Sequence, residues 1–598
     1  MQKERCSFVL RYLIFTLLAL GSFYLVLSYL ASDYASFLGG ILTRVRRPER
    51  LDHYLASSKL RWTYELLKYV LFFFLVCLFT SLYKAVVRKQ GWLSEWLDRV
   101  TGAVCAFLSH NKGFWNRLDP FAKSGLFFVG VIQFGWFLFL VLSIPYHYDE
   151  AWSFRHFSGV GFVQTAAYYP YPNNHIFFNL VSRVFCFLPF PAQVCTRLPS
   201  FFASLVSTWY FFKLAHKYFN AAVALLVTIL FLGGFLVVLY SVEGRGYGFL
   251  VCCTVLLFYA ADHFTGSENY RKYRLLYLLA MTAGLYTVPS FLFTVLATTG
   301  IVACYQLLRK QWKSLWIFIL NNAISGIATI VLYLPIIFFN GLATLTNPNG
   351  SDRLPLHSMI PQILPHLSST FHILSGIFSL PLGFVLIPIV LTLVAAWMPV
   401  GKQRLLPWLT AGTLVSPVVL LCLFPIIPFE RTWIYLSVPL ALSLGYMLTL
   451  LIDFVKRLPG FGSWWQARSE RGRPALIGLY AGILVLLFAN FRTLHRRYYA
   501  IDYDIRRHFE KLGADIDHIH SIGFTGPSMQ FYVAEDLYFQ CFERNPKRQV
   551  TIGKRNSVEG FNDDVLILAP DSVASFKLAG YEFMGSNGGT YSIYIRKY

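Results

Sequence analysis

Apolar residues fill most of this chain in blocks near the length of a membrane span, and short polar or basic stretches separate them. Wound as an α-helix, roughly 20 apolar residues cover the hydrocarbon thickness of a bilayer. The pattern predicts about thirteen spans. They lie near residues 9–30, 65–87, 124–144, 197–215, 221–240, 247–264, 275–289, 290–307, 315–339, 379–398, 405–425, 433–453 and 474–494. Pro289 interrupts the 275–307 stretch, which is either two short helices or one kinked helix. The block at 9–30 follows a basic start (Lys3, Arg5, Arg11) and lacks a small-residue cleavage site, so it reads as an uncleaved first span. At 91–108, Trp92, Trp96, Val100, Val104 and Leu108 recur every four residues. That face lies in the membrane interface or packs on other spans.

Composition agrees with the pattern. The chain has 598 residues, 56% hydrophobic and 14% charged, more apolar surface than a soluble fold of that size can bury. A net charge of +22 would point to nucleic acid in a soluble protein. Here the basic residues sit in loops between spans, where they meet anionic lipid, so membrane lipids and not nucleic acid are the expected partners. Lys213 and Lys217, then Arg271, Lys272 and Arg274, then Arg309, Lys310 and Lys313 mark alternate loops. Lys402 and Arg404, then Lys456, Arg457, Arg468, Arg471 and Arg473, continue the series on what should be the cytoplasmic side. Residues 44–61 are equally basic yet fall on the outer side, which places them along a head-group layer or shifts the first span. The cysteines show no metal-like spacing; Cys186 and Cys195 are near enough in one segment either to pair or to stay free.

Two larger segments emerge outside, the loop 145–196 and a C-terminal part from about 495. In the latter, Val565–Leu568 and Tyr591–Ile595 read as strands, Asn587-Gly588-Gly589 as a turn, and Thr525-Gly526-Pro527 as the start of a helix. The polar stretch 340–371 is a lid or a connector.

Candidate chemistry gathers on the outer side. Asp149 and Glu150 follow the 124–144 span directly. Acidic groups near lipid are costly, which invites a functional role, although they also mark helix ends in water. The same loop carries Tyr168-Tyr169-Pro170-Tyr171-Pro172-Asn173-Asn174-His175, whose aromatic rings suit sugar stacking or interfacial anchoring. Asn174 and His175 are candidate substrate contacts. Glu243-Gly244-Arg245-Gly246-Tyr247 makes a tight outer turn, with Glu243, Arg245 and Tyr247 as candidates. Arg197, in Arg197-Leu198-Pro199, and Arg431, in Glu430-Arg431-Thr432-Trp433, reach the same level. Arginine forks suit phosphate, and each alone also suits a lipid head group.

The order Asp149-Glu150, Asn173-Asn174-His175, Arg197-Leu198-Pro199 and Glu243-Gly244-Arg245-Gly246-Tyr247 over residues 124–310 resembles the GT-C superfamily of glycosyltransferases. Within it, the sequence is most similar to protein O-mannosyltransferases and the lipid A aminoarabinose transferase. The family often has paired prolines where Asn173 and Asn174 stand, and two N-terminal spans precede its usual first one. The resemblance implies an α-helical polytopic GT-C-like membrane protein with a small C-terminal α/β extracytoplasmic domain. Residues 1–123 would carry the extra spans and interfacial helix, 124–494 the catalytic module, and 495–598 the soluble domain. It also implies a polyprenyl-phosphate sugar as donor, a protein, lipid or glycan acceptor, and Asp149 as catalytic base with Glu150 supporting it. His175, Asn174, Arg197, Glu243, Arg245, Tyr247 and Arg431 become substrate-binding residues.

No metal and no separate cofactor is expected, and no dinucleotide-type glycine run follows a strand. The expected location is a bacterial inner membrane, with the site and C-terminal domain facing the periplasm. A flippase for lipid-linked glycans, an assembly protein and a glycan ligase or polymerase are the rival readings. Against a transporter stands the clustering of charge at one face instead of mid-membrane.

Overall fold

A computed structural model describes residues 33–45, 48–86, 95, 102, 109–169, 173–264, 270–346, 355–375, 382–397, 405–424, 426–457, 473–499 and 503. Beyond these it describes 518–525, 533–534, 537–538, 550–554, 563–568, 581–587 and 591–596. The expected first span, nearly all of the interfacial helix at 91–108, and the start of the helix expected after Gly526 lie outside the described residues.

The chain forms two compact units, Met1–Lys123 and Ser124–Tyr598. In the first, α1 (Tyr34–Arg44) begins at Asp33, whose carboxylate accepts from the Ser36 N–H at 2.9 Å. The basic stretch around residue 50 is helical: α2 (Leu51–Leu55) leads into α3 (Ser58–Val86), and Tyr34 donates to the Tyr54 carbonyl at 2.9 Å.

Long helices dominate the second unit. α4 (Pro120–Ser143) starts with proline in the first turn, and Asp119 accepts from the Ala122 N–H at 2.9 Å. The outer loop folds as short helices α5 (Tyr148–Ser153), a π-helical turn (Phe154–Ser158), α6 (Phe162–Ala167) and α7 (Ile176–Phe185). Cys186 and Cys195 follow it as free thiols. Then come α8 (Ala192–Tyr218), α9 (Ala221–Gly233), α10 (Phe235–Val242) and α11 (Tyr247–Phe264). The single span expected at 221–240 is instead bent by 65° between α9 and α10. At that bend Leu487 leaves no room for a side chain, since a Cβ on Gly233 would sit 2.3 Å from it.

Pro289 does separate two helices, α12 (Tyr270–Thr287) and α13 (Leu292–Leu308), through a 3-10 turn. After α14 (Trp312–Asn340), the stretch expected to be a lid or connector is largely a helix, α15 (Leu356–Ser375). It is amphipathic and carries Pro361 and Pro365 within it. α16 (Leu382–Trp397), α17 (Leu405–Leu423), a 3-10 turn (Glu430–Leu436), α18 (Ser437–Lys456) and α19 (Arg473–Tyr498) complete the bundle.

Seven described helices are long and apolar enough to cross a membrane, or eight with the bent pair taken as one span. That is fewer than the sequence pattern predicts. Two predicted spans are outside this count for clear reasons: α16 is described over 16 residues only, and 9–30 is not described. Burial sorts the helices. α11 has 78% of its apolar window inside the protein, whereas α14 has 17% and exposes Ile327, Ile330 and Val331. Apolar side chains on such an outward face are stable only against hydrocarbon, so α14 is a lipid-facing helix and α11 a central one.

The C-terminal part contains a five-stranded sheet in the order β2-β1-β3-β5-β4. β1 (Ser521–Phe524) pairs in parallel with β2 (Thr551–Lys554) and β3 (Val565–Leu568). β3 pairs antiparallel with β5 (Tyr591–Arg596), which pairs antiparallel with β4 (Tyr581–Asn587). Asn587 lies opposite Tyr591, as the expected turn between them requires. Ile522, Val565, Ile567, Ile593 and Ile595 share one apolar cluster with Val533 and Leu537. Beside it, Tyr538 carries the Arg155 guanidinium 4.3 Å above its ring, which ties the sheet to the outer loop.

Candidate active site

The local sequence dictates how Asp149 and Glu150 are presented. His147 caps α5, its Nδ1 accepting from the Asp149 N–H at 3.3 Å. Glu150 returns the bond, its Oε2 accepting from the His147 N–H at 3.0 Å, a capping box that fixes both carboxylates in the first turn. Adjacent positions on a helix point in different directions, and here they enter different environments.

Glu150 turns inward. Its Oε1 accepts from Arg197 Nε at 2.8 Å and its Oε2 from Arg197 Nη2 at 2.6 Å, with both side chains inaccessible to solvent. Arg197 spends its other donors on the carbonyls of Val141 (3.0 Å), Ile144 (3.1 Å) and Pro145 (2.7 Å). The Gly244 N–H also donates to Glu150 Oε1. Every N–H of the Arg197 fork has an acceptor in the interior, so no donor is left for a phosphate. This departs from the substrate contact expected of Arg197 from its sequence context.

Asp149 turns toward a partly open space, its side chain 17% exposed. Its Oδ2 lies 3.1 Å from Arg431 Nη1 and 3.7 Å from Arg245 Nη2. Burial pushes this carboxyl up, but Arg245, then His147 and Arg431, pull it further down, so it lies well below the usual carboxylate range. Arg431 is 35% exposed. Among the described residues its only hydrogen bond is to Asp149, and its Nε has no acceptor. Its plane also faces the Tyr247 ring, 5.9 Å from the centroid.

Arg245 is buried and draws the outer loop together. Its Nη1 donates to Ser153 Oγ (2.7 Å), the Asp149 carbonyl (3.1 Å) and the Asn173 carbonyl (3.4 Å), and its Nη2 donates to Asn173 Oδ1. His175 Nδ1 accepts from the Gly246 N–H at 2.8 Å, which puts the ring proton on Nε2. Burial and then Arg245 hold His175 far below its ordinary value, so it is neutral. A Cβ on Gly246 would sit 2.8 Å from that same Nδ1, which is why a glycine is needed there. Tyr247 meets the His175 ring edge-on, with centroids 4.9 Å apart.

The remaining expected contacts divide. Asn174 is buried; it donates to the Thr165 (2.8 Å) and Tyr168 (2.9 Å) carbonyls and accepts from Asn179 (2.9 Å). It therefore shapes the loop and has no group turned to the site. Glu243 is also buried, and its Oε1 has no hydrogen-bond partner among the described residues. Burial and then Glu150 raise its carboxyl well above the ordinary range, which keeps it protonated. Pro170, Tyr171 and Pro172 lie outside the described residues.

Three contributors were not singled out from the sequence. Asn173 and Ser153 receive Arg245, and His147 orients the acidic pair. Ser153 stands four residues after Asp149, one helical turn on, a spacing that would have identified it. No signal in the sequence distinguishes Asn173 from Asn174.

With this geometry fixed, known proteins can be compared. No protein-family model matches the chain, and no curated protein sequence does. Among solved structures it is similar to ArnT from Cupriavidus metallidurans, both in the apo state and bound to undecaprenyl phosphate. Each comparison covers 78% of this chain and 97% of that one at 14% identity, with a TM-score of 0.49. It is also similar to arabinosyltransferase EmbB from Mycobacterium smegmatis, at 13% identity over 67% of this chain and 45% of that one, TM-score 0.39. Identity this low transfers no residue's role, so the chemistry rests on the side chains described above. Among those, no group of three or more His, Cys, Asp or Glu side chains is arranged to hold a metal.

Proposed function

We propose that this protein is a membrane glycosyltransferase that moves a sugar from a polyprenyl-phosphate donor to an acceptor hydroxyl or phosphate, with Asp149 as base and inversion at the anomeric carbon. The observation that carries this reading is the Asp149–Arg431 pair. It joins an ionised, partly exposed carboxylate at 3.1 Å to a guanidinium that is 35% exposed and whose Nη2 makes no hydrogen bond among the described residues. The charge count agrees. Three guanidinium groups (Arg197, Arg245, Arg431) pair with two carboxylates (Asp149, Glu150), so the cations outnumber their ion-pair partners by one. A phosphodiester carries one negative charge.

The steps follow from that imbalance. The donor phosphate settles on Arg431, whose fork suits it. Arg431 is then shared between phosphate and Asp149, so the carboxylate loses part of what kept it a weak base. Donor binding thereby raises the basicity of Asp149 when it is needed. The acceptor oxygen gives its proton to Asp149 and forms a bond to the anomeric carbon. The bond from that carbon to the phosphate oxygen breaks on the opposite face, and its electron pair leaves with the polyprenyl phosphate. Phosphate is a stable anion, so the leaving group needs a cation beside it more than an acid, unlike the paired carboxylates of glycoside hydrolysis. Arg245, already spent on the loop, positions Asp149; Arg197 holds Glu150 and through it the turn. The expected setting is the extracytoplasmic face of a bacterial inner membrane, because the basic loops alternate with the site's own side.

The test is transfer of radiolabel from a panel of polyprenyl-phosphate sugars by the purified, lipid-reconstituted protein. Transfer that disappears in Asp149→Asn supports the assignment. Movement of intact lipid-linked sugar across the bilayer without transfer would establish the flippase instead.

A further inference from the structure

A cavity of about 560 Å³ opens between α13, α16 and α17, lined by Gly300, Tyr305, Arg309, Leu393, Trp408 and Val415 among others. It is unrelated to the Asp149 site. α13 starts near that site, since Thr287 just before it abuts Gly246, and runs away from it for 17 residues, roughly 25 Å. α17 runs the other way, from Leu405 back toward the turn that carries Arg431. Arg309, at the end of α13, is therefore at the far end of the bundle.

We propose that this cavity seats one hydrocarbon chain of an anionic phospholipid from the leaflet opposite the Asp149 site, with the lipid phosphate on Arg309. Three observations support this. Two of the three walls, α13 and α17, are helices long and apolar enough to cross a membrane, and the lining is apolar except at one end, so the natural filler is hydrocarbon and not water. A Cβ on Gly300 would meet nothing within 4 Å, which shows that the space extends to the helix backbone. Among the described residues the one cation lining it is Arg309, which is exposed and lies over the Tyr305 ring at 5.5 Å. Among the described residues its guanidinium has no hydrogen-bond or ion-pair partner. Leu308, at the rim, is 80% exposed, as a residue facing lipid chains should be. Lys310 and Lys313 follow in sequence and give this end the charge that attracts anionic head groups.

The test is native mass spectrometry of the full-length protein in detergent with equimolar phosphatidylglycerol and phosphatidylethanolamine. The wild type should retain phosphatidylglycerol preferentially. Arg309→Gln, an exposed change that needs no refolding, should reduce that preference about fivefold. Gly300→Phe should fill the cavity and remove the retained lipid. Equal retention of the two lipids by the wild type overturns the proposal. So does an Arg309→Gln protein with unchanged preference, or a Gly300→Phe protein with undiminished lipid. Displacement of phosphatidylglycerol by an equal concentration of polyprenyl phosphate overturns the phospholipid assignment.

Discussion

Glu150 and Asp149 are neighbours in sequence, each paired with arginine, yet they belong to two different regions of this protein. The Glu150–Arg197 pair is sealed, bidentate at 2.6 and 2.8 Å, and every arginine donor is satisfied. The Asp149–Arg431 pair is half open, held by one contact at 3.1 Å, and its arginine retains unused donors. The same two functional groups thus give a structural fastener in one place and an available reagent in the other. The difference lies in satisfaction: a fully bonded ion pair has nothing to offer a ligand, while an incompletely bonded one does.

That contrast breaks most sharply at Asp149. Replacing it with asparagine keeps the shape and removes the base, so kcat for sugar transfer should fall by about 10²–10⁴-fold, while the melting temperature falls less than in Arg197→Ala. An Asp149→Asn protein that transfers sugar at the wild-type rate would show that the open pair is not the chemical one.

The sealed pair should give the opposite signature. Arg197→Ala leaves the Glu150 carboxylate buried without its partner and frees three carbonyls of the α4–α5 connection. A loss of about 3–5 kcal/mol in stability is expected. Thermal unfolding in detergent measures it. If Arg197→Ala unfolds like wild type and instead shows a raised KM for the donor, then Arg197 binds phosphate after all.

Arg431 sharpens the comparison from the other side. Its truncation to alanine should raise KM for the lipid-linked donor about tenfold or more, with a melting shift smaller than that of Arg197→Ala, because the side chain is partly exposed and makes one hydrogen bond. Direct measurement of polyprenyl phosphate binding separates this from a loss of kcat alone.

How much of this was legible beforehand differs between the two pairs. The apolar periodicity of α4, α11, α13, α14 and α17 gave their existence, because a membrane span must bury its own backbone bonds and leaves a long unbroken signal. The acidic pair was legible as chemistry because charge beside lipid is costly. Which carboxylate faces outward was not legible, since both sit in one helical turn and their surroundings come from residues 47 and 282 positions away. Contacts also hid the structural role of Asn174, which is set by Thr165, Tyr168 and Asn179, and the close packing of Leu487 on Gly233 at the bend. Apolar content predicted more spans than the described helices supply, in part because the spans predicted at 9–30 and 379–398 lie wholly or partly outside the described residues.

Acid gives the smallest and most discriminating prediction, because it reaches two members of the site in different pH ranges. Asp149 is held below the usual carboxylate range, chiefly by Arg245 against the effect of burial, and stays ionised as pH falls from 7 to 5. Its contribution to stability is present above the unfolded value of about 3.9 and is lost only as pH falls through its lower native value. His175 is held neutral by burial and Arg245. Below its unfolded value of about 6.5, the unfolded chain takes up a proton that the native site refuses, so stability declines with falling pH, by at most about 1.4 kcal/mol per pH unit. The two groups therefore separate function from stability. Between pH 7 and 5, kcat/KM should show no titration from Asp149 or His175, while the melting temperature of the wild type falls more steeply than that of His175→Gln. A kcat/KM profile with a midpoint near 6.5 that vanishes in His175→Gln would mean that this imidazole takes a proton in the working site, and the carboxylate would no longer be the sole candidate for the base.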